Sequence, residues 1–178
     1  MEIAEVNMKR IFVRPDLCTA CKTCELACAV EHSQAKNIFL SPLETPRPTN
    51  RVFVEASDGR KIPIFCRHCE DAPCVAACIS GALFRDPVTD AVMCDWGRCI
   101  GCWTCVMVCP YGVIGRQLEL GKAVKCDLCP DREAPACVTS CPTKALSFEE
   151  VEAFSKEKRL AFAAAVRQTQ GPARTAGG

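Results

Sequence analysis

Only two histidines, one tyrosine and two tryptophans occur in this 178-residue chain. With so few histidines, acid–base chemistry on a substrate has little to work with. No Ser-His-Asp set, HExxH helix, phosphate loop or dinucleotide fingerprint is present either. No segment approaches the roughly 20 apolar residues that span a bilayer. The formal charge is +1, so there is no basic excess to hold nucleic acid. Aromatic residues make up 6% of the chain, too few for an ordinary large core. The N-terminus, MEIAEVNMKRIFV, contains no apolar core of signal-peptide length. A reducing, cytoplasmic setting is therefore expected, unless a partner bearing a signal carries the chain out.

What the chain has in abundance is cysteine, at 17 residues. All but Cys94 fall into four compact groups. They are Cys18, Cys21, Cys24 and Cys28; Cys66, Cys69, Cys74 and Cys78; Cys99, Cys102, Cys105 and Cys109; and Cys126, Cys129, Cys137 and Cys141. A C-x2-C-x2-C run puts three sulfurs inside one tight loop, matching three iron corners of a cubane, and a fourth cysteine follows three residues later. Groups one and three have this spacing in full, and Pro110 follows Cys109. Groups two and four stretch one gap but keep the initial C-x2-C and the final x3-C. At four thiolates each, the sixteen ligands match four [4Fe–4S] clusters.

Two other readings compete. Zinc takes four thiolates, but structural zinc sites bring together separated C-x2-C pairs and seldom use three cysteines in a seven-residue loop. A disulfide framework fits worse, because the count is odd and the chain is long for a stapled mini-domain. Four oxidised clusters would move the net charge from +1 to about −7. Because each cluster ties distant segments together, iron binding and folding are expected to be coupled, leaving the apoprotein largely unfolded.

The pattern around the cysteines repeats. Lys9–Arg14 (KRIFVR) reads as a strand leading into the first loop. ISGALF after Cys78, PYGVIG after Cys109 and PTKALS after Cys141 each read as a turn and a short strand. AVMCD and KAVK precede groups three and four as partner strands. Between Cys28 and Cys66, a stretch broken by Pro42, Pro46 and Pro48 precedes a hairpin, Arg51–Ala56 and Lys61–Phe65, turning through Ser57, Asp58, Gly59 and Arg60. The hairpin either covers a cluster or offers a docking surface. Ser147 and Glu150 fit a capping box opening a helix over about 148–168, with Val151, Phe154, Ala161, Phe162 and Ala165 on one face. That helix packs on its own domain or docks elsewhere. GPARTAGG beyond Gln170 reads as disordered.

Among single residues, Cys94 reads as a small buried hydrophobe within a strand. His68 and His32 read as local hydrogen-bonding or surface residues, and Trp103 as a shield over the third loop. Arg67, Arg98, Lys125 and Lys22 sit beside ligands. They read either as charges raising cluster potentials or as ordinary solvated side chains.

The segments CTACKTCELACAVEHS, CRHCEDAPCVAAC, CIGCWTCVMVCPYG and CDLCPDREAPACVTSCPT resemble the four-cluster electron-transfer subunits of multisubunit redox enzymes. That family includes the iron–sulfur subunits of dimethyl sulfoxide reductase, formate dehydrogenase and formate hydrogenlyase. It also includes the ferredoxin-like partner of carbon monoxide dehydrogenase and the small subunit of tungsten aldehyde oxidoreductase. The likeness spans about Lys9–Ser147. It implies a small α+β, ferredoxin-like fold of two pseudo-symmetric dicluster modules. The first is 1–28 with 120–147 and the second is 62–119. The insertion with the hairpin (29–61) and the C-terminal helix and tail (148–178) complete the chain.

Spacing alone leaves the pairing of ligands open. The resemblance implies that Cys18, Cys21 and Cys24 share a cluster with Cys141, and Cys126, Cys129 and Cys137 with Cys28. It likewise implies Cys66, Cys69 and Cys74 with Cys109, and Cys99, Cys102 and Cys105 with Cys78. Two departures stand out: Ala29 and Ile79 follow Cys28 and Cys78, where the family often has Pro. The C-terminal membrane helix of some formate dehydrogenase subunits is also missing, so no membrane anchor is implied.

The expected function is non-catalytic electron relay. One partner would be a catalytic molybdenum or tungsten enzyme or carbon monoxide dehydrogenase, and the other a redox subunit such as a flavoprotein or hydrogenase. A further variant has copies stacking through the helix or hairpin into a longer wire. The alternative is a scaffold in which zinc or clusters organise an assembly and no current passes.

Overall fold

The computed structural model describes residues 8–169. Strand β1 (Lys9–Val13) pairs antiparallel with β8 (Leu146–Glu150), setting Ile11 against Phe148 and joining the two far ends of the cysteine-bearing region. Ile11 and Leu146 are buried at this seam. This pairing overturns the expected capping box. Ser147 and Glu150 lie in β8, opposite Phe12 and Lys9, and the Ser147 hydroxyl is buried without a partner. The backbone ladder offered by β1 outweighs the hydrogen bonds a single cap supplies.

Three further ribbons follow. Strands β2 (Val52–Ser57) and β3 (Arg60–Phe65) form the expected hairpin through a two-residue turn. Asp58 and Gly59 both have positive φ, +51° and +74°, as the tight turn matching strand twist requires. Ser57 and Arg60, expected in the turn, instead pair with each other. Strands β4 (Leu83–Arg85) with β5 (Val92–Cys94), and β6 (Gly115–Gln117) with β7 (Lys122–Val124), form the short ribbons around the middle motifs.

Four helices carry the third cysteine of each group: α1 (Thr23–Glu31), α2 (Pro73–Ala76), α3 (Thr104–Val108) and α4 (Ala136–Thr139). Helix α1 packs on α4, and α2 on α3. The departures from proline have unequal effects. Pro110 forces Cys109 into extended backbone (φ −71°, ψ 114°) and ends α3 before it. Ala29 sets no such limit, so α1 runs through Cys28 to its cap at His32. Helix α2 ends before Cys78 although Ile79 is not proline.

The largest fully buried side chains include Leu146, Val52, Val92 and Val113, and buried cysteines fill much of the remaining interior. One buried group joins β1, α1, the hairpin and β8; another gathers α2, β4, β5, α3 and β7. Helix α5 (Val151–Thr169) begins directly after β8. Phe154 stacks on Phe12 with ring centroids 3.9 Å apart, and Glu157 pairs with Arg14 at 2.7 Å. Of the expected apolar face, only Val151 and Phe154 are partly covered; Ala161, Phe162 and Ala165 are exposed. The GPARTAGG tail lies outside the described residues. Among those residues, no helix is long and apolar enough to cross a membrane.

Candidate metal centres

Each cysteine loop is wound by the same backbone move. The residue before the second cysteine takes positive φ in all four: Ala20 (56°), His68 (49°), Gly101 (70°) and Leu128 (65°). In loops one and three, Lys22 and Trp103 repeat it just after that cysteine. Backbone that alternates hand in this way aims successive N–H groups into one concavity, the arrangement that receives an anion.

The loops bring distant cysteines together. One pocket is lined by Cys18, Cys21 and Cys24 with Cys141. A second is lined by Cys99, Cys102 and Cys105 with Cys78, and Cys94 and Trp103 join its wall. At the other two loops, electrostatics report the neighbours. Burial pushes the Cys74 thiol up, and Cys66 and Cys109 add to the rise. Burial also pushes Cys137 up, reinforced by Cys126, Cys28 and Cys129. Thiols crowded this way resist ionising on their own; a bound cationic metal would supply the positive charge that holds them as thiolates.

Four thiolates on zinc lie about 3.8 Å apart, the edge of a tetrahedron of about 2.3 Å bonds. Among the described residues, the one group of three potential ligand atoms all within 4.8 Å of one another is His32, Asp127 and Cys129. No cysteine quartet among the described residues is drawn in that tightly. Nor are any of the seventeen cysteines joined in disulfides.

Exposure differs among the quartets. Cys21 and Cys102 are the exposed cysteines, whereas Cys28, Cys126, Cys129 and Cys137 are all buried. The two exposed thiols are matched in detail: Thr23 donates to Cys21 Sγ at 3.3 Å and Thr104 to Cys102 Sγ at 3.5 Å. These hydroxyl bonds lower both thiol pKa values. Main-chain donors reach other sulfurs. Arg51 N–H meets Cys28, Leu83 N–H meets Cys78 and Ala123 N–H meets Cys99, at 3.2, 3.4 and 3.5 Å. Burial pushes the Cys126 thiol up, and charge from Cys28 and Cys66 adds to the rise.

The hairpin is a cover: Val54 and Pro63 line the pocket of Cys18, and the Val54 N–H donates to Glu25 of α1 at 2.5 Å. Trp103 shields its own loop, with Arg116 over its ring. Cys94 is partly buried rather than fully so, and burial pushes its thiol up to about 12.

The histidines hold opposite states. His32 faces two acceptors, the Cys28 carbonyl at 2.7 Å and the Asp127 carboxylate at 3.1 Å. Burial opposes its charge, but the bonds to Asp127, Cys129 and Cys28 push it up to about 11. Asp127 in turn is desolvated, yet His32 and Arg51 hold its carboxyl well below the usual range. This His32–Asp127–Arg51 set escaped sequence reading, since its members lie on three separate segments. His68 is fully buried rather than at the surface, and its Nδ1 accepts the Val92 N–H at 3.0 Å. Burial, then the charges of Lys125 and Arg10, push it down to about 3, so the ring is neutral. Of the four cations flanking ligands, Lys22, Arg67 and Arg98 are exposed, while Lys125 is 2% exposed.

The family model described as a 4Fe-4S dicluster domain matches residues 58–151. An "Iron-sulfur protein" of Rhodospirillum rubrum is 40% identical over 81% of this chain and 83% of its own length. The "Electron transport protein HydN" of Escherichia coli is 38% identical over 80% of this chain and 90% of its own. The "Thiosulfate reductase electron transfer subunit PhsB" of Salmonella typhi is 34% identical over 76% and 72%.

Proposed function

Because the chain belongs to the 4Fe-4S dicluster family of iron–sulfur electron-transport proteins, we propose that it is a non-catalytic relay subunit holding four [4Fe–4S] clusters. The ligand sets are Cys18, Cys21, Cys24 and Cys141; Cys28, Cys126, Cys129 and Cys137; Cys66, Cys69, Cys74 and Cys109; and Cys78, Cys99, Cys102 and Cys105. The observation that carries this reading is the pair of pockets in which three cysteines of one motif meet the last cysteine of another.

Clusters supply reversible one-electron storage when bound. The chain's contribution is to space the sites, exclude water and hydrogen-bond the sulfurs. Shared neighbours favour a linear order. Cys24 bears on Cys137, Cys66 bears on Cys126, and each exchanged fourth ligand links two quartets. The quartets of Cys18 and Cys99 then stand at the ends, each presenting one exposed cysteine, Cys21 or Cys102. Electrons enter and leave at those ends, and the middle quartets are shielded. The contacts of α1 with α4 and of α2 with α3 support two dicluster modules, 1–28 with 120–147 and 62–119, with the β6–β7 ribbon straddling their boundary.

The relatives' names support a catalytic partner. One is an electron-transfer subunit of thiosulfate reductase, and a reductase or molybdenum or tungsten enzyme is the class proposed here, with a second redox protein at the other end. An anaerobically prepared sample should contain about sixteen iron atoms per chain and bleach with dithionite. In a Cys109→Ser variant, the paramagnetic signal assigned to the Cys66 quartet should change. A change confined to the Cys99 quartet would refute the exchange, and colourless zinc-loaded protein would favour the scaffold.

A further inference from the structure

We propose that Lys125 is an internal counter-cation standing between the two middle quartets, and that it raises the reduction potentials of their clusters. The inference rests on the four-cluster reading above. Lys125 follows β7 directly and is 2% exposed. Its ammonium donates to the carbonyl oxygens of Val92 and Cys126, the latter at 2.6 Å. Among the described residues, no carboxylate forms an ion pair with it: nearby Asp127 is engaged by Arg51 and His32, and Asp90 by Arg10 and Arg85.

A buried cation with only neutral acceptors is unfavourable, so a fold that keeps one must bring negative charge close by another route. The groups on which the Lys125 charge bears point to that route. They are Cys126 of one middle quartet, Cys74 of the other, and the spare Cys94. Geometry joins both middle quartets: the Cys126 carbonyl accepts from Lys125, and Val92, its other acceptor, donates its N–H to His68, whose own backbone N–H lies 3.4 Å from Cys66 Sγ. The compensating charge is then the anionic iron–sulfur cores with their thiolates.

The other ligand-flanking cations cannot act as strongly, because Lys22 and Arg98 are 64% and 66% exposed and Arg67 is exposed too; water screens them. Nor does His68, bonded to the other side of Val92, add a second positive charge, since its Nδ1 accepts the Val92 N–H at 3.0 Å. A fixed positive charge in a water-poor interior favours the more negative, reduced form of each adjoining core. The centre of the relay becomes a place where an electron rests easily. At the Cys99 end, Lys122 donates to the Cys99 carbonyl at 2.6 Å but is only partly buried, so water screens it more than Lys125.

The test compares full-length wild type with Lys125→Gln, Lys125→Met and Lys125→Arg, prepared anaerobically and titrated with dithionite and mediators under paramagnetic resonance. Outer signals are those altered by Cys21→Ser or Cys102→Ser. In Lys125→Gln, the middle signals should show about a tenfold lower ratio of reduced to oxidised form at the wild-type midpoint. That corresponds to a fall of about 59 mV for a one-electron couple. The outer signals should move less, and Lys125→Arg should stay near wild type.

An iron-replete Lys125→Gln with unchanged midpoints, or with all four signals shifted equally, overturns the proposal. Loss of iron from both neutral variants but not from Lys125→Arg supports it, because charge is then the requirement. Loss from all three while wild type loads fully overturns it, since shape is then what matters. Wild type without iron would instead sink the relay reading itself.

Discussion

Gly101 meets two demands at once. Its φ of +70° lies in the left-handed region, and a Cβ there would come within 2.4 Å of the Gly121 carbonyl oxygen. The matching positions in the other loops are Ala20, His68 and Leu128, which bear the same backbone strain without that neighbour. Gly101→Ala should therefore destabilise its loop by about 2 kcal/mol or more, beyond the left-handed penalty alone. The expected readout is a loss of about four iron atoms per chain, with the signal sensitive to Cys102→Ser disappearing. Cysteine spacing made all sixteen candidate ligands legible, because that pattern is local. The burial of Lys125 and His68 was not legible. Lysine is almost always a surface residue, and KAVKC carries no mark showing that the second lysine turns inward.

Secondary-structure elements were read well where the signal was local and misread where a distant strand intervened. The hairpin's Asp-Gly turn was visible in the sequence, with the strands one residue longer at the turn than the reading gave. The Ser147–Glu150 pattern matched a cap, but β1 takes those residues into a ribbon, and nothing within 147–150 shows that a partner lies at Lys9–Val13. The start of α5 therefore moves to Val151. Its attachment rests on the Phe12–Phe154 stack more than on charge. Phe154→Ala should lower unfolding stability of the iron-loaded protein by about 1–2 kcal/mol. Glu157→Gln, which removes a pair 26% and 52% exposed, should cost less than about 0.5 kcal/mol. Denaturant melts of the two variants side by side would check the ranking. Equal losses would mean that the ion pair anchors the helix after all.

Across the whole molecule, the exposed cysteines belong to the proposed end quartets, while the Cys126 quartet is buried throughout. A chelator or mild oxidant should therefore strip iron in two phases. About eight atoms should leave quickly from the end sites, and the rest at least about tenfold more slowly. Single-phase loss, timed by released iron, would contradict the linear order. Complete removal should also collapse far-ultraviolet helix and strand signals, because nine of the 25 buried apolar residues are candidate cluster-binding cysteines.

The closure of β1 on β8 bears on biogenesis. The pocket lined by Cys18, Cys21 and Cys24 receives its last cysteine, Cys141, only after all of the cysteine-bearing chain has left the ribosome. The wall of Cys78, Cys99, Cys102 and Cys105, by contrast, is supplied within one continuous stretch. Maturation machinery would thus meet the central stretch as a finished receptacle while the N-terminal loop still waits, open, for its distant partner.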